Sequence, residues 1–141
     1  MRVPPGIAKL TALTANFPSS VAMARNEEAI AQTFRNYMAS FQRLKPDGVV
    51  SYCDASCLFI SAQGVRMMAD AQEVAAFIAE LMKSLQARGF LRSEIGELHV
   101  NQMSASIAVV SVQRVRYHAD GHELERLGET YVWRKIENNW K

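Results

Sequence analysis

Apolar positions recur along this chain in two periods, and the change from one to the other divides it into helical and extended parts. In residues 26–44, Ile30, Phe34, Tyr37, Phe41 and Leu44 fall at three- and four-residue steps. That spacing predicts a helix with one apolar face, Asn26 as its N-cap and Glu27 and Glu28 in its first turn. Pro46-Asp47-Gly48 ends this helix and opens a short second one through Val49, Val50 and Tyr52, with Asp47 suited to cap it. Cys57 to Ile60 reads as a strand that turns at Gln63-Gly64 into a second strand, Val65-Arg66-Met67-Met68.

Asp70-Ala71-Gln72-Glu73 has the spacing of a capping box, and Val74, Phe77, Ile78, Leu81, Met82 and Leu85 continue as one apolar stripe. Gly89 is placed to end this third helix in the left-handed conformation. The period then drops to two. Strands are predicted over 94–103, 106–117 and 123–136, the last two hinged at Ala119-Asp120-Gly121-His122, so they form an antiparallel meander. Strands this long curl, and the amphipathic helices are what they curl over. The predicted fold is α+β: a curved antiparallel sheet wrapped around a long N-terminal helix and a second long helix, a half-open cone.

Composition narrows this reading without redirecting it. The 141 residues make one domain, 49% hydrophobic and 21% charged, which is enough to bury a core. A net charge of +2 with dispersed Lys and Arg is too weak for a nucleic-acid footprint or a polybasic membrane patch. No apolar run reaches the length of a bilayer-spanning helix. Cys53 and Cys57 alone fall short of a tetrahedral metal set, so no metal is expected, and they read as small buried hydrophobes of a reducing cytoplasm. Residues 1–25 hold Pro4, Pro5 and Pro18 but no acidic residue, and lack the pattern of an export or transit peptide. They are expected to form a loosely attached arm before a single domain at 26–141, and Met23 is a possible translation start.

The element order, the passage from Tyr52 to Phe59-Ile60, the Gly in the first hairpin, and the ending Gly128-Glu129-Thr130-Tyr131-Val132-Trp133-Arg134-Lys135 with Asn138-Asn139-Trp140 together resemble the nuclear transport factor two-like superfamily. Within it the chain is similar to the small bacterial SnoaL-like group. The resemblance implies a cone with an apolar cavity, no cofactor, and a homodimer formed through the sheet. It also implies one more strand beginning at Trp140-Lys141. Either the sequence is truncated there, or the sheet edge is covered by a partner chain or the N-terminal arm.

Two functions from different classes follow. The first is binding of a small hydrophobic molecule in a cavity lined by Phe34, Tyr37, Tyr52, Phe59, Met67 and Phe77. The second, also implied by the resemblance, is a cofactor-independent isomerase, dehydratase or cyclase. In it Asp54 or His99 serves as base and a Tyr hydroxyl donates to a developing enolate. His99 shares a strand face with Glu97 and Asn101, opposite the core-directed Leu98 and Val100, so it points away from the cavity unless a bulge shifts the register. Tyr131 and Trp133 share a face that lines the cavity or, preferred here, packs in a dimer. Arg114, Arg116 and His118 also share a face. It is read as solvated or ion-paired across strands to Glu125 or Glu129, rather than as an anion site.

Overall fold

In a computed structural model of the chain, the structure describes residues 19–54 and 56–141. Among the described residues three helices and six strands follow in order: α1 (Ser20–Gln42), α2 (Pro46–Val50), β1 (Cys57–Ser61), β2 (Gly64–Met68), α3 (Ala71–Ala87), β3 (Phe90–Gln102), β4 (Ile107–His118), β5 (Glu123–Ile136) and β6 (Asn139–Trp140). Strands β3-β4-β5-β6 form one antiparallel sheet, curled into a half-barrel, and β1-β2 form a separate hairpin. The predicted α+β class and the long meander are what the structure has. Among the described residues no helix is long and apolar enough to cross a membrane.

α1 starts six residues before the predicted Asn26. Ser19 is its N-cap, with its hydroxyl accepting from Ala22 N–H at 3.3 Å. The segment Ser20–Arg25 has no Pro or Gly to stop a helix, so the turn set by Ser19 runs straight into the amphipathic part. Part of the expected arm is therefore helix, and residues 1–18 lie outside the described residues. Leu44, expected on the apolar stripe, lies past the helix end at φ +50°, where the chain reverses. α2 is likewise not capped by Asp47: Lys45 is the N-cap position without a side-chain bond, and Pro46 begins the helix.

The third helix follows its sequence signature closely. Asp70 Oδ1 accepts from Glu73 N–H at 2.9 Å, and Glu73 Oε2 reaches back to Ala69 N–H at 2.8 Å. Gly89 takes φ +71° and turns the chain directly into β3, which therefore starts at Phe90 rather than Glu94. At the far end, Glu137 (φ +48°) and Asn138 (φ +65°) form a two-residue turn with both central residues left-handed, the kind that matches strand twist. It folds β6 back onto β5, pairing Ile136 with Asn139 and Lys135 with Trp140. The strand expected at Trp140 is thus begun, and among the described residues the edge of β5 from Glu123 to Trp133 has no strand beside it.

The core lies in the concavity of the sheet. Ile30, Phe34, Met38 and Phe41 of α1 face Ala108, Val110 and Val112 of β4 and Trp133 of β5, and Val74, Ile78, Met82 and Leu85 of α3 complete it. α1 runs along β3, and α2 packs on α3. In β3 a bulge between Ile95 and Leu98 takes up one residue, so Ser93 and Ile95 face inward before it and Leu98, Val100 and Gln102 after it.

Candidate functional site

The mouth and interior of the cone are where chemistry would reside in such a fold, and the interior is occupied by rings. Phe34 lies edge-on to Tyr131 (5.2 Å between centroids) and to Trp133 (6.3 Å). Tyr37 meets Tyr52 at 5.8 Å, Tyr131 at 6.0 Å and Phe41 at 6.3 Å. Contacts of this kind add about 0.5–1.5 kcal/mol each to the area they bury. Tyr131 and Trp133 therefore point inward, Trp133 being only 3% exposed, and do not form the outer dimer face preferred from sequence. Register explains the difference: Val110 pairs with Tyr131 and Ala108 with Trp133, and paired residues share a face.

The same parity carries Arg114 and Arg116 inside. Arg114 is 3% exposed, so the solvated reading of this face is corrected, and the expected cross-strand ion pairs are what makes its burial tolerable. Glu129 accepts from Arg114 Nε at 2.6 Å and Nη2 at 2.7 Å, a two-point clamp, and from Tyr131 Oη at 3.1 Å. Glu125 accepts from Arg116 Nη1 at 2.7 Å and from both terminal nitrogens of Arg88 at 3.1–3.2 Å. Both guanidinium groups lie 5.8 Å from the Phe41 ring centre.

Protonation states follow from this packing. Burial is the largest influence on Tyr37 and Tyr131 and drives both phenols well above their ordinary value, so they stay neutral. Burial also disfavours the Arg114 cation, but the hydrogen bonds and charge of Glu129 outweigh it. Burial works against the Glu125 carboxylate too, and the bonds from Arg88 and Arg116 nevertheless hold its carboxyl below the usual range. Cys53 and Cys57 are free thiols packed against the core; burial, then the neighbouring Cys57, pushes Cys53 up to about 11, so it is no nucleophile at neutral pH.

The residues expected to act or bind are scattered. Asp54 is engaged by Arg134, whose Nε and Nη2 lie 3.0 and 2.7 Å from Oδ2. His99 is 74% exposed on the convex side, 3.6 Å from Glu97, because the β3 bulge precedes Leu98 and leaves Leu98 and Val100 facing the core. Phe34, Tyr37 and Tyr52 belong to the ring cluster. Phe59 and Met67 sit on the β1-β2 hairpin, 41% and 71% exposed, and the Phe59 ring packs at a tilt against Phe77 of α3, 4.9 Å between centroids. The structure brings together the first three, and separately Phe59 with Phe77.

Missed from sequence was a recess of about 520 Å³ at the mouth of the cone. α1 contributes Asn26 and Thr33, the segment after α2 contributes Ser51 and Tyr52, and the β5-β6 turn contributes Lys135, Asn139, Trp140 and Lys141. Among the described residues its lining holds two lysines and no acidic side chain. Of the six residues expected to bind a ligand, Tyr52 alone lines it. Neither Asp54 nor His99 does. A second, smaller recess of about 290 Å³ lies where Gly96 and Gly128 flank Gln113.

A family model described as NTF2-like protein (DUF6841) matches residues 26–141. No curated protein matches the chain. Among solved structures, the chain is similar to an NTF2-like protein of unknown function from Pseudomonas putida KT2440, with TM-score 0.68, 14% identity, and 84% of this chain and 82% of that one covered. It is also similar to an NTF2-like protein with a cystatin-like fold from Novosphingobium aromaticivorans, with TM-score 0.64, 14% identity and coverage of 100% and 86%. A third similar structure, a cystatin-like protein of unknown function from Nostoc punctiforme, gives TM-score 0.65 at 10% identity, covering 88% and 87%. At these identities the likeness is one of fold.

The ion pair inside the sheet makes a direct prediction. Glu129→Ala leaves Arg114 buried without its carboxylate and is expected to cost about 3–5 kcal/mol in urea unfolding, whereas Arg114→Met with Glu129→Leu recovers most of that loss. A double variant no more stable than Glu129→Ala would show that the pair does not set the cost.

Proposed function

Because the chain belongs to the NTF2-like family DUF6841, we propose that it is a non-catalytic binding domain that holds a small molecule at the mouth of its cone rather than deep within it. The observation that carries this reading is the recess of about 520 Å³, within the usual range of about 300–1,000 Å³ for small-molecule sites. Its lining includes the aromatic residues Tyr52 and Trp140 and the amide- and hydroxyl-bearing Asn26, Thr33 and Asn139. The ammonium groups of Lys135 and Lys141, with no acidic side chain among the described lining residues, favour an anion. The ligand class is therefore a small amphipathic acid, an apolar or aromatic body bearing a carboxylate or similar group. This revises the purely hydrophobic ligand expected from sequence.

The acid-base alternative has less support. Asp54 is held by Arg134 and His99 is exposed on the convex side, and neither lines the recess. The phenols of Tyr37 and Tyr131 lie against each other inside the cone and are not among the residues that line the recess.

The homodimer expected from sequence remains part of the proposal, now through the convex face. With Tyr131 and Trp133 turned inward, that face presents Val109 and Val132, paired directly opposite each other, and Val132 is largely exposed. In sedimentation the chain is expected to run as a dimer and Val132→Glu as a monomer. A monomeric wild-type chain at micromolar concentration would remove this part of the reading.

For the recess, titration with a panel of aromatic and alicyclic carboxylates, followed by amide chemical shifts, is expected to give saturable changes at Thr33, Ser51 and Asn139. Lys135→Ala is expected to weaken the best binder about tenfold, a loss of roughly 1.4 kcal/mol. Shifts confined to other surfaces, or an affinity unchanged by Lys135→Ala, would reject the site.

A further inference from the structure

The turn between β4 and β5 brings together a side-chain cluster that the recess and the core leave unused. The chain has three histidines, and two of them, His118 and His122, flank Asp120 in the run His118-Ala119-Asp120-Gly121-His122. His118 Nδ1 lies 3.0 Å from Asp120 Oδ1, and His122 Nδ1 contacts the same oxygen. One donor atom from each of the three residues lies within 4.8 Å of the others. The imidazole rings are stacked, 4.6 Å between centroids and 21° between planes.

The backbone holds this arrangement. His118 N–H donates to His122 C=O at 2.9 Å, Gly121 N–H to His118 C=O at 2.9 Å, and Ala119 N–H to Gly89 C=O at 3.0 Å. Gly121, at φ +94°, supplies the reversal. The His118 ring is also seated from below. A Cβ at position 89 would come within 2.2 Å of His118 Nε2 and 2.4 Å of Cδ2, so the ring occupies the space left by Gly89. Its Nε2 edge is thereby turned to the α3-β3 junction and its Nδ1 edge to Asp120 and His122.

His118 Nδ1 lies 3.1 Å from Asp120 N and 3.0 Å from Asp120 Oδ1, and metal entry would exchange these contacts for coordination. Asp120 Oδ1 accepts from His122 N–H at 3.0 Å and faces a nitrogen of each ring, so one cation placed there would be shared by two imidazoles and the carboxylate. Tetrahedral coordination with metal-nitrogen distances of about 2.0–2.1 Å places donors about 3.3 Å apart; His118 Nδ1 and Asp120 Oδ1, at 3.0 Å, need little change, while the closer His122 Nδ1 and Asp120 Oδ1 must part to admit the ion.

We propose that His118, Asp120 and His122 form a binding site for a single divalent late-transition-metal ion of the zinc class, with two imidazole nitrogens and one carboxylate oxygen as donors. Imidazole selects such ions over magnesium or calcium. Three protein donors leave a coordination position for water or an outside group, since His122 and Asp120 are exposed.

The test is calorimetric titration of the full chain with zinc chloride, with magnesium chloride as control. The expected result is one zinc per chain in the micromolar range and no response to magnesium. His122→Ala is expected to weaken zinc at least tenfold with an unchanged circular dichroism spectrum, since the side chain is exposed in a turn. Because the remaining candidate soft ligands are His99, Cys53 and Cys57, His99→Ala and the double variant Cys53→Ser with Cys57→Ser are expected to bind zinc as the wild type does. Zinc binding that survives His122→Ala, that is lost in the His99 or cysteine variants, or that is absent up to millimolar metal overturns the proposal.

Discussion

The edge-to-face packing of Phe34 in α1 against Tyr131 and Trp133 in β5 is the contact on which the rest of this structure depends. It fixes which face of β5 is concave. Antiparallel pairing then passes that parity to β4 residue by residue, turning Ala108, Val110 and Val112 inward together with Arg114 and Arg116. Two guanidinium groups cannot lie under a helix without carboxylates, and the same parity supplies them, because Glu129 and Glu125 are on the inward face of β5. A single packing choice therefore implies both the aromatic filling and the ion pairs behind it.

The consequence for function is spatial. A cone filled by its own rings and salt bridges has its accessible chemistry at the rim, where α1, the segment after α2 and the β5-β6 turn enclose the recess. Tyr52 joins the two regions, since its ring touches Tyr37 on the inside and lines the recess on the outside. The other end of the sheet is organised differently. There the β4-β5 turn is braced by Gly89 and by the Arg88-Glu125-Arg116 bridge, which ties the end of α3 to the strands.

Element order and type were legible in the sequence because both periods are strong and their punctuation is chemical: Asp70 with Glu73 at one helix start, Gly89 at its end, and the 119–122 turn. Facing was much less legible. On β4 the inward Val110 and Val112 alternate with the equally apolar Ile107, Val109 and Val115, so hydropathy alone does not choose a side, and Arg114 argued for the wrong one. The rim recess was invisible for another reason. Its lining comes from three segments that touch only after folding, and Asn26, which sequence assigned to a helix cap, sits within α1 because Ser19 caps it earlier. On β3, by contrast, the bulge at Ile95/Leu98 kept the expected facing of His99.

The space between α1 and the sheet is filled by the chain itself, which a crystal pressurised with xenon examines directly, because xenon enters dry apolar voids of sufficient size. No xenon site is expected within reach of Phe34, Tyr37, Tyr131 and Trp133 in the wild-type protein. An ordered xenon atom among those rings would contradict it and return the binding site to the interior of the cone.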